Sequence, residues 1–204
     1  MHTILSTTYF GPIEWYSQLY RSDCVYLEAC ETFQKQTIRN RCTIATANGR
    51  QTLSLPVVHD DATMITDIRI SNHGKWRTEH WNALASAYGE SPFFDYYADD
   101  IKPFFTNQWE HLFDFNLAIM RKMLELLDIE KDINLTAAYR QPSMQTATLQ
   151  EEDTKKGSIA PFEPKTYYQV FQQKHGFMPN LSILDLLFNM GPESILILRD
   201  SCVS

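Results

Sequence analysis

These 204 residues contain neither a G-x-G-x-x-G turn nor a Walker loop. Phosphate binding on a glycine-rich strand-to-helix turn is therefore excluded. No serine, threonine or cysteine sits in a nucleophile-elbow context, so a classical triad has little support. Cys24, Cys30, Cys42 and Cys202 form neither a C-x-x-C pair nor a dense framework. In a chain of this length they read as reduced thiols of a cytosolic protein. No run approaches the roughly 20 apolar residues of a membrane span. Met1 is not followed by a charged and then an apolar region, so no signal peptide is expected. No internal repeat is present.

Positive charge is also in deficit. Eighteen Lys and Arg face 25 Asp and Glu, for a net charge of -7. General nucleic-acid binding is disfavoured, because that affinity comes mainly from neutralising phosphates. Hydrophobic residues make up 44% of the chain, enough to bury one full core.

Against this acidic background, residues 33–42 read Phe-Gln-Lys-Gln-Thr-Ile-Arg-Asn-Arg-Cys. An extended chain alternates its side chains between two faces. Lys35, Thr37, Arg39 and Arg41 would then share one face, and Gln36, Ile38, Asn40 and Cys42 the other. Such a cationic comb suits a phosphate or carboxylate, since arginine presents a planar fork of donors. It equally describes a solvated strand whose arginines pair with surface carboxylates. Asn40 on the inner face would need buried partners.

The elements around this stretch predict an α/β fold. Thr3 to Thr7 and Cys24 to Ala29 read as strands. Between them, Pro12 opens a short amphipathic helix over Ile13 to Tyr20. Strand, helix and strand at this spacing imply a parallel pair. Asn48-Gly49 between Arg39–Ala45 and Thr52–Val57 is a hairpin signal. Ile65 to Ile70 alternates as a further strand. The expectation is one mixed sheet of about four to five strands near the N-terminus, packed by helices over 75–88, 92–98 and 108–127. Residues 137–164 are polar and proline-containing and read as a long surface loop. The expected organisation is a core over 1–136, that loop, and a C-terminal segment over 165–204. This last segment docks back through a helix over Ser182–Met190 capped by Ser182.

A second candidate group is His73, Trp76, Arg77 and His80, which spacings of three, four and seven place on one helix face. Imidazoles move protons near neutral pH or bind metal. A metal set lacks a third ligand at characteristic spacing, so no metal is expected. The plainer reading makes Trp76 and Trp81 core aromatics and uses the histidines to satisfy buried carbonyls. Asp23, Glu28 and Glu31 flank the cationic stretch. They can orient Arg39, act as a base, or lie on the surface.

In order along the chain, a further set of residues carries a family resemblance. It begins with Tyr9-Phe10-Gly11-Pro12, Trp15-Tyr16, Phe33-x-Lys35 and Arg39-Asn40-Arg41. It continues through Asn48-Gly49, Leu55-Pro56-Val57, Trp76, His80-Trp81, Tyr88 and Pro92-Phe93-Phe94. Phe115-Asn116 and the run from Leu181 to Gly191 complete it. Together they resemble the WbqC-like protein family, which is associated with bacterial surface-polysaccharide loci. The resemblance implies a cytoplasmic helper of O-antigen or capsule assembly, acting on a phosphorylated or nucleotide-linked sugar. The leading form is a transferase on a nucleotide-linked or lipid-linked sugar, by amino-acyl or acyl transfer. Lys35, Arg39 and Arg41 would hold the anionic part, with Asn40 and His73 in the same substrate-binding set. His80 would carry the proton. Trp76, Trp81 or Tyr9 would pack on the sugar ring. The rival form is a non-catalytic binding module of the same pathway. Neither form calls for a cofactor, a metal or a membrane span, and the oligomeric state stays open.

Overall fold

The computed structural model describes residues 2–58, 63–141 and 162–202. The fold is mixed α/β. Its elements begin with β1 (His2–Ser6), α1 (Ile13–Arg21) and β2 (Cys24–Glu28). Strands β3 (Arg41–Thr46), β4 (Gly49–Ser54), β5 (Val57–Val58) and β6 (Arg69–Ile70) follow. Then come α2 (Trp76–Tyr88), α3 (Phe94–Ile101), α4 (Pro103–Thr106), α5 (Leu112–Leu126) and β7 (Ile133–Leu135). The chain closes with α6 (Gln172–His175), α7 (Ile183–Met190), a 3-10 turn over Gly191–Glu193 and α8 (Ser194–Asp200).

The first strand–helix–strand unit forms as its pattern predicts. β1 pairs parallel with β2, with Leu5 opposite Leu27. The third strand of this sheet is β7, parallel to β2 on its far side. Its three residues leave Asn134 and Leu135 exposed, so it shows no alternation to read. Among the described residues the strands are divided among three small sheets rather than joined in one. β3 and β4 form an antiparallel hairpin, and β5 pairs antiparallel with β6. The hairpin loop is Ala47-Asn48, because Thr46 already pairs with Gly49. Gly49 takes φ of 100°, which favours glycine.

Two expected elements shrink for identifiable reasons. Only Arg69–Ile70 of the 65–70 run is a strand, since Ile65 and Ile68 turn into the core instead. The long helix begins at Leu112 rather than 108. The preceding main chain pairs with β6, Ile70 N–H donating to Glu110 O and Leu112 N–H to Ile68 O, both at 2.8 Å. Residues 110 and 111 are thereby held extended against β6 and stay out of the helix.

Ser182 caps α7 as expected, accepting from Leu184 N–H. It also donates to Phe10 O at 2.7 Å, and Ile183 N–H donates to Gly11 O. Leu181, Leu184, Leu187 and Phe188 are fully buried, and α7 packs against α1, α2, α3 and β3. At roughly 1.5–3 kcal/mol for each large apolar side chain, this helix is a principal source of core stabilisation. Of the 137–164 segment, residues 142–161 lie outside the described residues.

Candidate functional site

The carboxyl ends of the three parallel strands bring Ser6, Glu28 and Thr136 to one edge of the sheet. In open α/β sheets this edge is where ligands are bound. Glu28 is fully buried there. It accepts from Cys30 N–H at 2.7 Å, Thr136 Oγ1–H at 2.8 Å and Arg140 N–H at 2.6 Å. Three donors offset the desolvation of this buried carboxylate.

The 33–40 stretch passes this edge as a turn, not as a strand. Gln36 adopts φ of 63°, Asn40 N–H donates to Thr37 O, and Tyr9 N–H donates to Ile38 O at 2.9 Å. The alternation expected of a comb is therefore broken. Ile38 and Asn40 are buried, as the alternation predicts, but Arg39 is buried with them. Its Nε donates to Glu31 Oε1 at 2.8 Å and its Nη2 to Glu31 Oε2. Nη2 also meets Ser6 Oγ at 2.9 Å, and Nη1 meets Thr37 Oγ1 at 3.2 Å. Ser6 Oγ–H completes the ring by donating to Glu31 Oε2 at 2.9 Å. A fork-to-carboxylate pair with hydroxyls on its flanks is the arrangement in which a buried ion pair is satisfied.

Arg41 opens β3 and is half-buried, and Lys35 is exposed on the turn. Arg41 Nε is screened from solvent and has no partner among the described residues. The same holds for Asn40 Oδ1 and for Asn116 Oδ1. Asn40 Nδ2 donates to Leu55 O at 3.1 Å, and Asn116 Nδ2 donates to Arg39 O at 2.8 Å. Both asparagines thus fix the main chain of the turn while each leaves an acceptor unmet. Unmet buried polar atoms are uncommon and mark places where a water or ligand completes the set.

His80 lies in the core of the molecule. Its Nδ1 and Tyr9 Oη are 2.8 Å apart, and the ring also bonds to the Ser54 main chain. Burial pushes its pKa down to about 4, so the ring is neutral near pH 7. Phe10, Trp76, Phe105 and Phe115 pack around this pair. Burial raises the Tyr9 phenol well above its ordinary value. Trp76 is buried, with its Nε1–H on Ser71 O at 3.0 Å and the Arg77 guanidinium 4.6 Å above its ring. Trp81 is half-buried, stacked on Phe94, with Lys102 at 5.7 Å. His73 is exposed on the loop before α2. Tyr9, Trp76, His80 and Trp81 therefore meet in one aromatic cluster, while Lys35 and His73 lie on the surface.

Asp185 is a second buried carboxylate. It accepts from Tyr88 Oη–H at 2.9 Å, Tyr167 Oη–H at 2.5 Å and Gln169 Nε2–H at 3.2 Å. Burial pushes its pKa up to about 6 despite these donors. It ties α7 to α2 and to the 167–169 segment. The sequence pattern hides this tie, because Asp185 sits among leucines and its partners Tyr88 and Tyr167 lie far away along the chain. Among the described residues, no cluster of three or more His, Cys, Asp or Glu could hold a metal, and no helix is long and apolar enough to cross a membrane.

Compared with known families, the chain matches the model of the WbqC-like protein family over residues 7–158 and 147–197. No curated protein and no solved structure matches it.

Proposed function

We propose, on the premise that this chain belongs to the WbqC-like protein family, that it is a cytoplasmic binding module of bacterial surface-polysaccharide assembly. Its ligand is an anionic sugar derivative, nucleotide-linked or lipid-linked, held by Arg41. The observation that carries this reading is the division of labour between the two arginines. Arg39 is neutralised by Glu31, whereas Arg41 is half-buried and keeps an Nε without a partner among the described residues. A guanidinium in that position matches the oxygens of a phosphate better than a lysine does. Asn40 and Asn116 set the turn that presents it.

The binding form is favoured over the transferase form by His80. A general acid or base must come within about 3 Å of the reacting group. His80 is engaged by Tyr9 and the Ser54 main chain inside the core, and its pKa is far below neutrality. Titration calorimetry with UDP-glucose and with glucose 1-phosphate tests the reading. Saturable binding that is lost in Arg41→Ala, with no product formed on prolonged incubation with acyl or amino-acyl donors, is expected. Turnover that depends on His80 would return the transferase form to first place.

A further inference from the structure

A cavity of about 540 Å³ lies beside β6, at a distance along the chain from the 35–41 turn. Its polar lining is Arg69, Asn72, His73, Gln108, Trp109 and Glu110, and Val58 and Ile70 give it an apolar floor. Its size falls within the range of roughly 300–1,000 Å³ typical of small-ligand sites.

The walls are fixed by main-chain bonds rather than by loop packing. β6 pairs with β5 on one side. On the other side it pairs with the 110–112 segment through the Ile70–Glu110 bond and the Arg69–His111 bridge. Arg77 then ties the two rims together. Its Nη2 donates to Asn72 Oδ1 at 2.9 Å and its Nε to Asn107 O at 3.3 Å. Trp109 is anchored from behind, stacked on Phe104 at 6.1 Å between centroids and set against Phe115 at 5.3 Å.

Trp109 Nε1 is screened from solvent and has no partner among the described residues. An enclosed indole N–H ordinarily finds an acceptor. Trp15 and Trp76 in this chain do so, on Ser6 O and Ser71 O, both at 3.0 Å. Trp109, which carries this unmet donor, lines a cavity that is also lined by two amides, an imidazole, a guanidinium and a carboxylate. Arg69 and Glu110 carry opposite charges, so the lining has no strong preference for an anion. What it offers is an aromatic body next to closely mixed donors and acceptors. That is the complement of a ring with an apolar face and several hydroxyls.

We infer that this cavity is a binding site for an uncharged saccharide ring, with Trp109 as its platform and Asn72, Gln108 and Glu110 reading the hydroxyls. The inference does not depend on Arg41, and the two sites take ligands of different charge.

The test uses the full chain labelled with 15N and follows the indole N–H signals of Trp15, Trp76, Trp81 and Trp109. Methyl glucoside, methyl galactoside and N-acetylglucosamine serve as probes, with inorganic phosphate as control. The Trp109 signal, identified by its loss in Trp109→Phe, is expected to shift saturably with at least one sugar, at a Kd on the order of 1 mM. Trp15 should stay in place, and Arg41→Ala should leave the response intact. Gln108→Ala changes an exposed residue and should fold normally. It should weaken the response about fivefold or more, the scale of a lost hydrogen bond. A Trp109 signal that no sugar moves, that phosphate moves equally, or that responds unchanged in Gln108→Ala overturns the assignment.

Discussion

Arg39 closes on Glu31, with Nε to Oε1 at 2.8 Å, and both side chains are withdrawn from solvent. The pair joins the 33–40 turn to the carboxyl edge of the parallel sheet. Removing one member leaves the other charged and buried, which costs about 3–5 kcal/mol. Arg39→Ala and Glu31→Ala should each lower the unfolding free energy from urea titration by that amount. The double variant should cost clearly less than the sum. Additive single effects would mean that the two side chains act independently.

Asp185 and His80 give the protein two opposed pH responses in one window. The Asp185 carboxyl has a folded pKa of about 6 against an ordinary 3.8. A raised folded pKa means that the folded state holds the proton more tightly. The stability it contributes is full below 3.8 and is lost as pH rises through about 6. At 1.36 kcal/mol per unit this is on the order of 3 kcal/mol. Asp185→Asn should therefore lose that slope, seen as a flatter dependence of the urea midpoint on pH across this range.

His80 works in the other direction. Its pKa falls from 6.5 to about 4 on folding, so the unfolded chain takes up the proton first. Its contribution is full above 6.5 and declines as pH falls toward 4. Wild-type stability should change little across the overlap because the two slopes offset each other. In His80→Gln the acid-side loss should disappear and the Asp185 slope should stand alone. A wild-type profile that falls steeply from pH 7 to 5, with no change in either variant, would contradict this balance.

Gly191 stops α7 with φ of 53°, and a Cβ there would meet the Phe93 ring at 2.6 Å. Phe93 is itself held by its N–H on Phe188 O. Both the backbone strain and the clash act in the same direction. Gly191→Ala should destabilise by about 1–3 kcal/mol, measured by thermal unfolding.

The sequence made some of these relationships readable and hid others for physical reasons. The parallel pair β1–β2 was legible because Pro12 and the two β-rich runs mark each boundary. The α7 cap was legible because Ser182 precedes an apolar stripe. The 33–40 turn was not legible. Its alternating polar and apolar residues imitate a strand, while the conformation is set by distant contacts, Tyr9 with Ile38 and Asn116 with Arg39. Glu31 was visible as one possible partner of Arg39, but sequence spacing cannot choose between orienting an arginine and lying on the surface. Trp109 left no signal, being a single aromatic in the polar run before α5. Its place beside Asn72 and His73 follows only from the pairing of residues 110–112 with β6.

Arg41 is where the account of function is most exposed, and one titration addresses it. Affinity for UDP-glucose should fall by about 1.5–3 kcal/mol in Arg41→Ala, the range for a hydrogen bond to a charged group. Arg41→Lys should recover only part of this, since an ammonium cannot reproduce a two-pronged contact. The urea midpoint should barely move in either variant, in contrast to Arg39→Ala. Affinity in Arg41→Ala equal to that of the wild type would contradict an anion site at the start of β3.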